Sequence, residues 1–251
     1  MLSATADGQD PEKPKPDEND PQAHQLIATF GGPETGVTAL AFSADGRQVV
    51  SVCAQDVRTW DSRTGKEIGA VNKLGGEVVA LSPDGASLAT AGRESVTIND
   101  TTTGKQLLSI EPHGDWDRKF PFRPTVAAVT FSPDGGRFAA GGSVAKVDGR
   151  HGYPGGVVTI WDTKTGKALQ RFDKLSTSAS SVAFSPDGTS VAAGTNGAGG
   201  ELPEPGEVWV WDLEKGAGRR RFKAAPESDY GEFISIADVA FSPGIKSDTL
   251  D

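Results

Sequence analysis

At 251 residues the chain fits one domain, since all-β folds of this length often remain undivided. A net charge of −9 disfavours a general nucleic-acid role, and a single cysteine, Cys53, allows no intramolecular disulfide framework and no zinc cluster. The 36% apolar content and 32 glycines suit a β protein dense in turns.

In chain order, residues 1–22 carry six acids (Asp7, Asp10, Glu12, Asp17, Glu18, Asp20) against two lysines, with hardly an apolar side chain after Leu2. Such a segment cannot bury enough surface to offset its ordering, so an acidic, Pro-rich disordered stretch is expected. It has no apolar core of a signal peptide, and the chain has no run fit to span a membrane; a cytoplasmic protein without membrane partners is the expectation. Leu26-Ile27-Ala28-Thr29-Phe30 then reads as a short strand.

From there a five-residue turn sets the organisation. Phe131-Ser132-Pro133-Asp134-Gly135 recurs intact as Phe184-Ser185-Pro186-Asp187-Gly188. Near-copies are Phe42-Ser43-Ala44-Asp45-Gly46, Leu81-Ser82-Pro83-Asp84-Gly85 and the clipped Phe241-Ser242-Pro243-Gly244. Pro is pre-set for the second position of a type I turn, Asp suits the third, and Gly supplies the positive φ that returns the chain as a hairpin. Apolar strands are expected before each turn, at 37–42, 78–81, 126–131, 182–184 and 236–241, and a second strand after each of the first four. Cys53 ends one of these second strands, where a small buried hydrophobe is expected. Each unit continues into a run closing on Asp: Trp60-Asp61, Asn99-Asp100, Trp161-Asp162, Trp211-Asp212. Three then turn on Thr-Gly-Lys, at Thr64, Thr103 and Thr165, into a fourth strand.

Four-stranded units whose third strand ends in Trp-Asp resemble the WD-repeat family of β-propellers, over roughly residues 36–241. The resemblance implies an all-β fold of antiparallel blades stacked radially around a channel. A disordered segment at 1–22 and a partial propeller at 23–251 are expected. The blades fall at about 36–72, 76–111, 124–173 and 178–223, with a fifth beginning at about 234–243. One strand does not make a blade, so an open ring is expected, and with it self-association through uncovered blade faces. The family's blades commonly place Ser or Thr on the second strand to meet the Trp; Ser51 and Thr90 stand there, whereas Ala140 and Ala193 replace them later, and Asn99 replaces one Trp.

Insertions carry the variable chemistry of a fixed scaffold. Phe42 to Trp60 and Leu81 to Asn99 each span 18 positions, but Phe131 to Trp161 spans 30 and Phe184 to Trp211 spans 27. The extra residues are expected as loops at 142–156 and 195–206, with two more between blades at 113–123 and 224–233. Links after second and fourth strands share one rim, so all four insertions crowd it. They carry Trp116, Arg118, Phe120, Phe122, Arg150, His151, Tyr153, Glu201, Glu204, Tyr230 and Phe233. Aromatic and Arg side chains anchor protein interfaces, so this rim is the expected partner-binding site. The plain alternative is that Phe120 and Phe122 only pin a long loop.

Sites for chemistry are poorly supported. Gly166-Lys167 lacks the following Ser or Thr of a phosphate loop, and the glycines at 194–200 precede no helix. Arg219-Arg220-Arg221-Phe222-Lys223 reads as a charged outer edge that discourages edge pairing. His113, Asp115 and Asp117, with His151, are too few and scattered for a metal centre. The expectation is a non-catalytic scaffold for protein partners, without catalytic residues, cofactor or metal. Competing readings are a propeller hydrolase or metal-dependent enzyme acting at the channel mouth, and a truncated fragment without function.

Overall fold

A computed structural model describes residues 37, 39–43, 45–53, 56–71, 78–92, 95–112, 125–147, 152–197, 205–215, 219–223 and 235–242. The acidic segment 1–22 and the strand expected at 26–30 lie outside these residues.

The repeated turn is built as its sequence requires. Gly135 N–H donates to Ser132 C=O at 2.8 Å, closing the Ser-Pro-Asp-Gly turn. The Ser132 hydroxyl donates to Asp134 Oδ1 at 2.5 Å and accepts from Arg137 N–H at 2.9 Å. The same pattern joins Ser43 to Asp45, Ser82 to Asp84 and Ser185 to Asp187. A second turn follows the Trp-Asp position: in blade 3 Asp162 Oδ1 accepts from the N–H and hydroxyl of Thr165, each at 2.8 Å. Positive φ occurs at Gly46, Gly65, Gly85, Gly104, Gly135, Gly166 and Gly188, all in these two turns.

Four sheets result, each four-stranded, antiparallel and ordered as in the chain. Blade 1 is β1 (Ala39–Phe42), β2 (Gln48–Cys53), β3 (Asp56–Asp61) and β4 (Glu67–Val71). Blade 2 is β5 (Val78–Leu81), β6 (Ser87–Ala91), β7 (Val96–Asp100) and β8 (Gln106–Ile110). Blade 3 is β9 (Thr125–Phe131), β10 (Arg137–Val147), β11 (Gly152–Asp162) and β12 (Ala168–Leu175). Blade 4 is β13 (Ala179–Phe184), β14 (Ser190–Thr195), β15 (Glu207–Asp212) and β16 (Arg219–Lys223). No helix occurs among the described residues.

The core lies between blades. Val50, Val52 and Val57 of blade 1 meet Leu81 and Leu88 of blade 2. Ala89, Val96 and Ile98 meet Val129, Phe131 and Phe138 of blade 3. Val158 and Ile160 meet Val182, Val191 and Trp211 of blade 4. Blades 2 and 3 thus each bury one face on the preceding blade and one on the following blade, which is what a lone sheet cannot do. No core layer joins blade 4 back to blade 1 among the described residues, so the stack is an open arc.

Two expectations need correction. The insertion at 142–156 is not a loop: β10 and β11 continue through it in register from Ser143↔Gly156 to Val147↔Gly152. The stretch 236–241 is not in a sheet; it lies along blade 4, and among the described residues no strand pairs with it. Its Ile236 N–H instead donates to Thr195 C=O at 3.1 Å.

Candidate interaction rim

The tight turns hold one rim flat. In every blade the two turns are tied by a backbone bond: Ser62 N–H to Arg47 C=O, Thr101 to Ala86, Thr163 to Gly136 and Leu213 to Thr189, at 2.8–3.0 Å. Arg137 links neighbouring blades here, donating to Gly188 C=O at 2.8 Å with its guanidinium over the Phe184 ring.

The opposite rim is where the sheet grows. β9 pairs with β10 only as far as Thr125↔Ser143, and β12 pairs with β11 from Gly156 onward. Among the described residues, 144–147 and 152–155 therefore pair with each other and with no other strand, forming a two-stranded arm beyond the four-stranded part of the sheet. The insertion of blade 4 leaves β14 at Thr195 and re-enters β15 at Glu207 on the same rim. Its root is well tied: Asn196 N–H donates to Ser178 C=O, Glu207 N–H to Thr195 Oγ1 at 2.9 Å, and Gly197 N–H to Ser235 Oγ at 3.2 Å.

Of the rim residues expected from sequence, only Tyr153 falls within the described backbone, on the arm opposite Lys146. Trp116, Arg118, Phe120, Phe122, Arg150, His151, Glu201, Glu204, Tyr230 and Phe233 lie outside the described residues. A residue that sequence reasoning passed over is Glu207, buried at the root of the blade 4 insertion. Trp209 Nε1 donates to its Oε2 at 3.0 Å. The signal was Trp209 itself, a second Trp off the Trp-Asp position, whose buried N–H needs an acceptor. Among the described residues no group of three or more His, Cys, Asp or Glu could hold a metal ion.

Residues 24–61 match the family model described as WD domain, G-beta repeat. Solved structures similar to the chain include "Crystal structure of RRP9 WD40 repeats", at 14% identity and TM-score 0.56, covering 77% of this chain and 53% of that one. "Structure of U3-55K" gives 14% and 0.56, covering 77% and 54%. Kuenenia stuttgartiensis hydrazine synthase gives 21% and 0.57, covering 79% and 53%. The fold is that of a WD-repeat propeller. The chain spans about half the length of these structures, and no curated protein matches it.

The internal bond expected of WD blades is present where its residues are. Trp60 Nε1 donates to Ser51 Oγ at 2.8 Å. In blade 2 Asn99 takes the Trp place and donates to Thr97 Oγ1, which meets Thr90 Oγ1 at 2.8 Å. Blades 3 and 4 of this WD-repeat fold bury Ala140 and Ala193 at the Ser position and rely on apolar packing there.

The turn rim also fixes the acid behaviour. The Ser132 hydroxyl, then the Gly136 N–H, hold the Asp134 carboxyl below the usual range; Ser82 and the Ala86 N–H do the same for Asp84. Hydroxyl and N–H of Thr165 lower Asp162, and the N–H of Lys215 lowers Asp212. A folded-state pKa below the unfolded value stabilises above the ordinary carboxylate pKa, and that contribution disappears as pH falls through the depressed value. The melting temperature should therefore hold steady near neutrality and fall below about pH 4. Thermal melts across pH should show a shallower acid limb for Asp84→Asn/Asp134→Asn; an unchanged limb would exclude these turns as its source.

Proposed function

We propose that this WD-repeat propeller is a non-catalytic scaffold that binds a protein partner through the rim carrying the β10–β11 arm and the blade 4 insertion. The observation that carries it is one-sided growth. An arm extends past its sheet on this rim, while the described turns on the other are closed by positive-φ glycines. Insertions without consequence would fall on both rims. The sequence between β8 and β9 also holds Trp116 and Arg118, and that following β16 holds Tyr230, residue types that anchor interfaces.

The test shortens the arm. Residues 144–155 are replaced by Asn-Gly, a two-residue turn suited to joining Ser143 to Gly156. After affinity purification identifies a partner of the whole chain, its affinity should be roughly thirty-fold weaker for this variant and for Trp116→Ala. Lys66→Ala, in a tight turn of the opposite rim, should bind as the unaltered chain does. Equal affinities for all would end the rim reading. A second reading, self-association through uncovered blade faces, is favoured by Leu40 and Phe42, which are 62% and 64% exposed on β1.

A further inference from the structure

Each blade presents one face to its predecessor and one to its successor, and the repeat makes these faces comparable position by position. Phe42 of β1 corresponds to Leu81 and Phe131, each only 8% exposed because the preceding blade covers it. At the other end, Val208 and Val210 of β15 are half-buried. Their counterparts Val57, Val96 and Val158, and Ile98 and Ile160, are buried under the following blade. The arc thus ends in two unlike faces of the kind that pack together at all three of its internal interfaces.

Residues 235–242 lie over part of the blade 4 face, along the lane a following blade's first strand would take. Ile236 and Val239 side chains fill the space beside Gly194. Ser180 Oγ donates to Ile236 C=O at 2.5 Å, and Ser181 Oγ donates to Asp238 Oδ1 at 2.7 Å and accepts from Val239 N–H at 2.9 Å. This seat reads the pattern of a blade's first strand, and β1 is the first strand that leaves that pattern uncovered. Ile236, Val239, Ala240, Phe241 and Ser242 match Val37, Leu40, Ala41, Phe42 and Ser43 in spacing and character.

We propose that residues 37–43 of a second copy take the seat held by residues 235–242, so that blade 1 of one copy packs head to tail on blade 4 of another. The proposal rests on the self-association reading and specifies its faces. The incoming strand brings its paired β2, which residues 235–242 lack among the described residues, and so extends cover to Val208 and Val210. In return, Leu40 and Phe42 gain the apolar cover that their counterparts have. Two copies of the four described blades, joined reciprocally, make eight, within the range of closed propellers, and closure then predicts a dimer.

Sedimentation velocity over a range of concentrations tests it on three versions of the 251-residue chain. The unaltered chain should show a concentration-dependent dimer and nothing larger. Leu40→Asp/Phe42→Asp should weaken that dimer at least about a hundred-fold, two buried aliphatic or aromatic contacts becoming charged. Its circular dichroism and dilute-limit melting should be unchanged, since both positions are exposed in the single chain. Asp238→Ala removes one bond that holds residues 235–242 in the seat, and should tighten the dimer roughly five-fold. A monomer at every concentration would overturn self-association and this pairing together. Association that survives Leu40→Asp/Phe42→Asp, that Asp238→Ala leaves unchanged or weakens, or that grows beyond two copies would overturn this pairing alone.

Discussion

Phe138→Ala should be among the most damaging single substitutions in the chain, costing about 3–5 kcal/mol. Phe138 is fully buried on β10, with its ring stacked on Trp161 at 5.1 Å and tilted against Phe131 at 6.3 Å. It belongs to the layer that joins blade 2 to blade 3, beside Ile98 and Ala89. Truncation removes the whole ring from between two sheets that keep their other contacts, so the cavity left behind collapses only in part. A loss of that size is a large fraction of the roughly 5–15 kcal/mol that stabilises a typical domain. Blades of a stacked repeat contact only their neighbours, so the damage should be local. Urea unfolding followed by Trp fluorescence should separate into two transitions as blades 1–2 uncouple from 3–4. Phe138→Leu should keep most of the stability, within about 1.5 kcal/mol. A single unshifted transition for Phe138→Ala would show that the layer is not the joint between the halves. Phe42→Ala is the informative control: it occupies the place of Phe131 in the repeat, yet is 64% exposed and should cost less than about 0.5 kcal/mol in the single chain.

That contrast shows what could be read from sequence and what could not. Four blades, their strand order and both turns were legible because each rests on local chemistry: Ser132 and Asp134 bond within their own turn, and Gly135 alone tolerates its φ of 68°. Position in the stack is not local. Phe42 and Phe131 sit in the same five-residue pattern, and only the neighbour that covers one of them makes it core. The stretch 236–241 has the pattern of a strand, but a strand is defined by what pairs with it. Glu207 escaped notice because a carboxylate before a strand reads as a solvated end until the Trp209 N–H is found upon it. That the insertions of blades 3 and 4 leave from one side was legible from connectivity, because alternating strands send every second link to the same side. Its arm was not, since Gly142, Pro154, Gly155 and Gly156 break a strand pattern and read as loop.

Those glycines are there for space, and Gly142→Ala and Gly156→Ala should each destabilise by about 1–3 kcal/mol. Neither needs a left-handed backbone; both stand where another backbone comes too close for a side chain. A Cβ on Gly142 would lie 1.8 Å from Thr125 C=O oxygen and 2.8 Å from its carbon, and one on Gly156 would lie 1.9 Å from Thr177 C=O oxygen. Backbone atoms cannot rotate aside as a long side chain can, so the strands must separate. The two positions flank the base of the arm, at register shifts that β10 makes against β9 after Gly141 and β11 against β12 after Gly156. Both lie where the arm leaves its sheet. Gly136 serves as the control on the opposite rim: a Cβ there would meet only the Asp134 carboxylate at 3.5 Å, an ordinary contact. Gly136→Ala should be neutral or gain a few tenths of a kcal/mol from a stiffer unfolded chain. Denaturant titration of the three variants checks the stabilities, and a neutral Gly142→Ala would mean that β9 yields freely at its start. With the partner in hand, affinity per folded molecule separates stability from function. If the arm is a binding element, Gly142→Ala and Gly156→Ala should weaken binding in the folded fraction while Gly136→Ala does not, because only the first two disturb its base.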